Sequence, residues 1–138
     1  MIIQKILLIV LVLLGVQLSQ LQAQRITDNL GRTLGSIESG RIKNHLGSTV
    51  GYIEEGRVKD EIGWTLYYIQ ETRVKGVSGR TIGTIDKGVV KNHKGETIGR
   101  IYENRVCDGQ GRTIGYFKNL TDKEVGIYFF FLNRSQTR

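Results

Sequence analysis

Arg41-Ile42-Lys43-Asn44-His45-Leu46-Gly47-Ser48-Thr49-Val50-Gly51-Tyr52-Ile53-Glu54-Glu55-Gly56 reads as one β-hairpin with both of its turns. Arg41-Ile42-Lys43 alternates polar, apolar, polar, the pattern of a half-buried strand. Asn44 to Gly47 has the composition of a type I turn, with Asn first and Gly fourth. Thr49 to Ile53 is rich in β-branched and aromatic residues and predicts a second strand. Glu54-Glu55-Gly56 predicts a tight turn whose glycine takes positive φ. Arg57-Val58 then begins the same unit again.

The unit has a period of 16 residues and occurs six times, starting at Arg25, Arg41, Arg57, Arg73, Val89 and Arg105. A fixed period means one supersecondary unit repeated in space. No segment of the repeat region, residues 25–120, has helical periodicity, so the reading is all-β. Phased on the shorter turn, the chain gives five equal hairpins, Thr33–Ser48 to Thr97–Arg112. Thr113–Phe117, a loop over Lys118–Glu124 and a closing strand Val125–Leu132 remain. Such an arrangement suits a radial, closed assembly, which removes the free edges of an open β-array.

Two sets of glycines recur for different reasons. Gly31, Gly47, Gly63, Gly79, Gly95 and Gly111 end the longer turn, where a side chain forces a strained left-handed backbone. Gly35, Gly51, Gly83, Gly99 and Gly115 lie inside strands, where recurrence predicts close backbone approach. Tyr67 takes that place in the third copy and is expected to open the packing locally. Val125-Gly126-Ile127-Tyr128-Phe129-Phe130-Phe131-Leu132 is apolar on both faces. The sequence therefore predicts a buried plug, with Phe129, Phe130 and Phe131 as structural anchors.

Residues 1–23 read as a signal peptide. Lys5 is a positive n-region, and Ile6 to Val16 is an unbroken apolar run. That run is shorter than the ~20 residues a bilayer span needs. Leu21-Gln22-Ala23 precedes the expected cut, near Gln24 or Arg25. The expectation is an exported chain, periplasmic or extracellular, with a single domain over 24–138 and no transmembrane segment after processing. That domain carries 19 basic against 13 acidic residues, a formal +6. It has one cysteine, Cys107, so no internal disulfide supports it.

These features resemble the bacterial five-fold β-flower proteins. The resemblance rests on the R-V-x-[DN]-x-x-G-x-T-I-G-x-I unit, best kept in Arg73–Ile85, Val89–Ile101 and Arg105–Phe117, and on Tyr128-Phe129-Phe130-Phe131. It implies a closed radial arrangement of hairpins with the aromatic segment near the centre, and no established enzymatic activity. Val89 for arginine, Cys107 for lysine and Tyr67 for glycine depart from the pattern.

Lys43, Lys59, Lys75 and Lys91 recur at one strand position, two residues after Arg41, Arg57, Arg73 and Val89, and so on the same face. They form a basic ring suited to an anionic partner, such as an envelope glycan or another anionic polymer. The simpler reading is a solvated face, with Glu38, Glu54, Glu55 and Asp86 pairing with the arginines. Trp64-Thr65-Leu66-Tyr67-Tyr68 is the one aromatic stretch of the repeats, and Trp64 and Tyr68 are candidate sugar-stacking residues. His45 and His93 lie three units apart, which separates them as metal ligands. Asp28, Asp60 and Asp108 offer one carboxylate per turn, far from the six to eight oxygens calcium takes. Cys107 reads as a neutral surface substitution. No constellation for catalysis, metal or cofactor stands out, and the aromatics do not interleave with the cations as a nucleic-acid stacking platform requires.

Overall fold

The computed structural model describes residues 2–6 and 24–132. Residues 2–6 form a short exposed helical stretch. The expected apolar run beyond Ile6 and the cleavage site at Leu21–Ala23 lie outside the described residues, as do residues 133–138.

Twelve strands follow one another: β1 (Arg25–Asp28), β2 (Thr33–Glu38), β3 (Arg41–Asn44), β4 (Thr49–Glu54), β5 (Arg57–Asp60), β6 (Thr65–Gln70), β7 (Arg73–Gly76), β8 (Thr81–Asp86), β9 (Val89–Asn92), β10 (Thr97–Tyr102), β11 (Arg105–Asp108) and β12 (Thr113–Phe117). Each pairs antiparallel with its chain neighbours, and β12 returns to β1 through Ile26↔Phe117, Thr27↔Tyr116 and Asp28↔Gly115. The result is a closed barrel with the six longer loops on one rim and the tight turns on the other. Five hairpins are continuous in the chain. The sixth is made by the two ends of the repeat region, so Thr113–Phe117 pairs with Arg25–Asp28 and not with the terminal segment.

Every repeat also contains a β-bulge that the sequence pattern conceals. Ile42 pairs with Gly51 and Lys43 with Thr49, leaving Val50 as the extra residue. Leu34, Leu66, Ile82, Ile98 and Ile114 hold the same place. A bulge bends and twists its strand. Six at equal intervals help to close the sheet.

The barrel interior is lined by the second residue of each short strand: Ile26, Ile42, Val58, Val74, Val90 and Val106 are all buried. Mid-strand glycines lie at the same level; close backbone approach is found at Gly35, Gly51, Gly83 and Gly115, and the Phe130 ring takes the space at Gly99. A Cβ on Gly51 would sit 2.7 Å from the Lys59 carbonyl of the adjacent strand, and one on Gly83 2.5 Å from that of Lys91. The loop glycines differ: a Cβ there meets nothing within 4 Å, but φ is +81° at Gly31 and +83° at Gly47.

The terminal segment is a plug, but a helical one. Helix α1 (Asp122–Gly126) runs into a π-helical turn, Ile127–Phe131, where the sequence pattern suggested a strand. Thr121 and Glu124 form a capping box: the Glu124 amide donates to Thr121 Oγ1 at 3.2 Å, and the Thr121 amide donates to Glu124 Oε1 at 3.0 Å. Residues apolar on all sides suit a helix surrounded by a wall as well as a strand buried on both faces. The barrel has already paired its edges, so a further strand finds no partner. A helix satisfies its own backbone, and the Leu132 amide reaches Ile127 O in the wider π turn.

The plug seats one ring per glycine. Phe131 lies against Gly83, Phe130 against Gly99 and Phe129 against Gly115, in three successive hairpins. Consecutive residues of a π turn are separated by less than the ~100° of an α-helix, nearer the roughly 60° between neighbours in a six-membered ring. Burying one such ring is worth about 1.5–3 kcal/mol. In the neighbouring hairpin the wall supplies the ring instead. Tyr67 keeps the normal strand register, points inward, packs edge-on to Phe131 at 6.5 Å between centroids and donates its hydroxyl to the Phe131 carbonyl at 3.3 Å. It fills the interior where an opened packing was expected. The barrel from Gln24 to Leu132 thus closes on itself around its own plug.

Candidate functional site

No described polar or charged side chain is fully buried. The chemistry therefore lies on the outer wall and the two rims.

On the wall, register places an arginine, a long-strand residue and a lysine side by side. Tyr52 stands between Arg41 and Lys59, Tyr68 between Arg57 and Lys75, and Thr84 between Arg73 and Lys91. Arg25, Ser36 and Lys43 begin the series. Lys43, Lys59, Lys75 and Lys91 therefore do form a row around one side of the barrel. They are not free in the same degree. Lys43 pairs with Glu38 at 2.9 Å and Lys59 with Glu54 at 3.7 Å, while Lys75 donates to Gln70 Oε1 at 2.6 Å. Glu38 and Glu54 thus pair with lysines, whereas Glu55 and Asp86 form no ion pair and Arg41, Arg57 and Arg73 bind no carboxylate among the described residues. Register sets Glu38 directly opposite Arg41 and Glu54 opposite Arg57, yet each carboxylate bonds the diagonal lysine on the same face, Lys43 and Lys59.

Three open surface grooves repeat along this row. They lie at Ser36, Glu38 and Lys43 (about 360 Å³), at Tyr52, Glu54 and Lys59 (about 240 Å³), and at Tyr68, Gln70 and Lys75 (about 390 Å³). In the third, the Arg57 guanidinium lies 5.7 Å from the Tyr68 ring centroid, within cation–π range.

The Trp64–Tyr68 stretch does not form one aromatic patch. Tyr67 faces the interior, Tyr68 lies on the outer wall, and Trp64 sits in the loop before β6, 72% exposed. Four residues of strand separate Trp64 from Tyr68 by about 13 Å.

Cys107 departs from its reading as a surface residue: it is 2% exposed. It occupies the lysine place of the row, and Tyr102 occupies the acid place beside it. The Tyr102 hydroxyl lies 4.0 Å from Cys107 Sγ, and the Arg105 guanidinium packs 4.7 Å from the Tyr102 ring centroid and bonds its hydroxyl. A Tyr–Arg stack covers the small thiol where a lysine would reach past it to solvent.

The longer loops are ordered by their first residue. Asn44 Oδ1 accepts from the amides of Leu46 and Ser48, both at 3.0 Å. Asp28, Asp60, Asn92 and Asp108 do the same in their loops. These aspartates are turn residues, as their spacing suggested. Partial desolvation raises the Asp28 carboxyl, but bonds from the Arg32 amide and guanidinium and the Leu30 amide outweigh it and hold it below the usual carboxylate range. At Asp108 the Arg112 amide is the largest influence, and the carboxyl is again lowered. His45 and His93 are exposed members of separate loops.

One feature of these loops escaped the sequence reading. Leu30, Leu46, Ile62, Trp64 and Val77 are each 67% to 77% exposed, and all lie on the longer-loop rim. Ser78, Lys94 and Gln110 hold the tip position of the last three loops, and Val77 stands one residue before Ser78. The available signal was an apolar residue just before the turn glycine, in N-L-G, H-L-G and E-I-G, where a tight loop leaves nothing to cover it.

A closed ring of 16-residue hairpins with an aromatic C-terminal plug is the arrangement the resemblance implied, and the 5-fold β-flower protein family model matches residues 18–133. The chain belongs to the 5-fold β-flower protein family. No curated protein and no solved structure matches it. In this β-flower, no described helix is long and apolar enough to cross a membrane, and no three described His, Cys, Asp or Glu side chains are grouped to hold a metal ion.

Proposed function

We propose that this β-flower is an exported, non-enzymatic module that acts at the cell envelope through its outer surface, as a binding or structural element. One observation carries the reading: the interior is filled by the protein's own helix, and the core includes no buried polar or charged side chain. Surface contact is what such a body offers. The apolar run at Ile6–Val16 supports export. Mass spectrometry of protein from its native cell is expected to find an N-terminus near Gln24 or Arg25. Retention of Met1 or Lys5 would overturn export.

A second reading is supported by the repeated grooves. A carbohydrate or other anionic polymer would meet Tyr52 or Tyr68 flanked by an arginine and a lysine, a ring for stacking beside cations for carboxylates or sulfates. Glycan-array binding that falls with salt and is lost in Tyr68→Ala or Lys75→Gln supports this reading. Binding indifferent to both changes rejects it.

A further inference from the structure

The lysine row and the exposed apolar tips occupy the same side of the barrel. Leu30, Leu46 and Ile62 are the tips of the first three longer loops, Val77 lies one residue before the tip Ser78 in the fourth, and Trp64 flanks the third. Lys43, Lys59 and Lys75 are next to last in the short strands that lead into the second, third and fourth of these loops, and Lys91 leads into the fifth. Thr27 and Cys107 hold the lysine place before the first and sixth loops, so Leu30 stands at the edge of the lysine row and Gln110 beyond it. Three residues separate Lys43 from Leu46, so the cations stand no more than about 10 Å behind the tips.

We propose that this rim docks on an anionic lipid bilayer. Leu30, Leu46, Ile62, Trp64 and Val77 enter the headgroup boundary, and the lysine row lies at the level of the lipid phosphates. The depth matches the ~5–10 Å to which interfacial apolar groups are buried, and tryptophan favours that boundary.

Three observations choose a bilayer over a protein groove or a second copy. First, adjacent tips belong to separate hairpins and stand about 10 Å apart, two strand spacings. Isolated side chains at that distance make no continuous patch for a complementary protein surface, whereas a fluid medium receives each one separately. Second, the carboxylates of the loops are largely occupied: Asp28 by Arg32 and its own loop amides, Asp60 by the amides of Ile62 and Trp64. Glu61 is the one carboxylate of these four loops with no bond among the described residues, and it limits how deeply Ile62 sinks. Third, Lys75, Arg80, Lys91 and Lys94 have no carboxylate partner among the described residues, which leaves a net positive flank at the Val77 end. Long cationic side chains extend readily to such a headgroup layer.

The proposal rests on surface action at the envelope and adds the occupant. Its test uses residues 24–138, which contain the whole barrel and its plug, in co-sedimentation with vesicles of phosphatidylcholine alone or with one-quarter phosphatidylglycerol. Binding is expected to the anionic vesicles at low salt and to weaken as salt rises. Leu46→Asn with Ile62→Asn should reduce it at least tenfold, roughly the contribution of one buried large apolar side chain. Lys75→Gln with Lys91→Gln should weaken binding and flatten its salt dependence, and Gln110→Ser should leave it unchanged. Leu46, Ile62, Lys91 and Gln110 are exposed and Lys75 is half-buried, and unaltered melting temperatures would show the fold intact. No binding to either vesicle, or loop variants that bind as the parent does, would overturn the proposal. So would loop variants whose effect is to abolish self-association in analytical ultracentrifugation, which would make a second copy the occupant. Any of these outcomes leaves export and glycan binding untouched, since the mature N-terminus and the glycan array test those separately.

Discussion

Tyr67 stands directly across the β6–β7 pair from Gly76. At the five equivalent places a glycine faces an Asn or Asp: Gly35 with Asn44, Gly51 with Asp60, Gly83 with Asn92, Gly99 with Asp108, Gly115 with Asp28. The third pair is the reverse, with the large residue on the long strand and the glycine at the head of the loop. The long-strand residue faces the interior and seats against the plug, whereas the Asn or Asp orders its own loop. The two members of the pair thus serve different ends.

The fourth loop consequently lacks the side-chain bonds that its five counterparts have. Its backbone turn survives, with the Gly79 amide donating to Gly76 O at 2.9 Å. A Cβ on Gly76 meets nothing nearer than Ile82 Cγ2 at 3.8 Å. Gly76→Asn should therefore stabilise the domain by about 1–2 kcal/mol, through new bonds to Ser78 and Arg80 and a less flexible unfolded chain. A rise of roughly 5 °C in melting temperature is the expected reading. A fall would show that Tyr67 excludes any side chain there.

Tyr67 itself separates two contributions. Tyr67→Phe removes only the bond to the Phe131 carbonyl and should cost about 0.5–1.5 kcal/mol. Tyr67→Gly restores the residue of the other copies but leaves no ring to replace it, and should cost about 3–5 kcal/mol. Chemical denaturation of both variants measures the difference. Equal costs would mean that the ring contributes nothing to the interior.

The Phe130 ring occupies the space of a Gly99 side chain. Phe130→Ala should cost about 3–5 kcal/mol as a buried aromatic truncation. Gly99→Ala should also destabilise, because its methyl meets the ring. Once the ring is gone, much of that penalty should disappear, so a double-mutant cycle is expected to show coupling of at least about 1 kcal/mol. Simple additivity would indicate that the two positions do not touch.

Asp28 and Asp108 have folded-state pKa values below their ordinary range. A carboxyl lowered by folding contributes stability above its unfolded pKa, and that contribution is lost as pH falls through the folded value. Stability should accordingly decline on acidification below about pH 4. Asp28→Asn with Asp108→Asn keeps an oxygen for the loop amides and removes the titration. The double variant should be less acid-sensitive than the parent in melts compared at neutral and low pH. An unchanged acid response would assign it to other carboxylates.

The repeat was legible because it is local. Each hairpin's strands, turns and glycines are set by residues within one 16-residue unit. The bulge at Val50 was hidden because Thr49-Val50-Gly51 is apolar enough to pass for an ordinary strand. The plug was read as a strand because Val125–Leu132 shows no alternation, and two-sided burial does not distinguish a strand from a helix. Thr121 and Glu124 at capping-box spacing were the distinguishing signal. Glu38 and Glu54 have an arginine directly opposite and a lysine diagonal to them on one face. Side-chain reach, which the strand pattern does not show, decides between them, as loop packing decides which tips stay bare. For that reason the lysine row could be read from the sequence, but its ion pairs and the apolar rim could not.

All strand pairings but one join neighbours in the chain; the exception, β1 with β12, spans the whole repeat region. Chain closure must be met entropically before its contacts reward it. Successive hairpins can form as a growing or refolding chain lengthens, yet they remain an open arc with two unpaired edges until Thr113–Phe117 arrives. The glycine floor stays bare until Phe129–Phe131 follows. A chain interrupted before that point is not a smaller barrel but an adhesive sheet, ready to recruit another strand from outside. The final residues of the fold therefore act as its latch, and assembly is decided at the end of the chain.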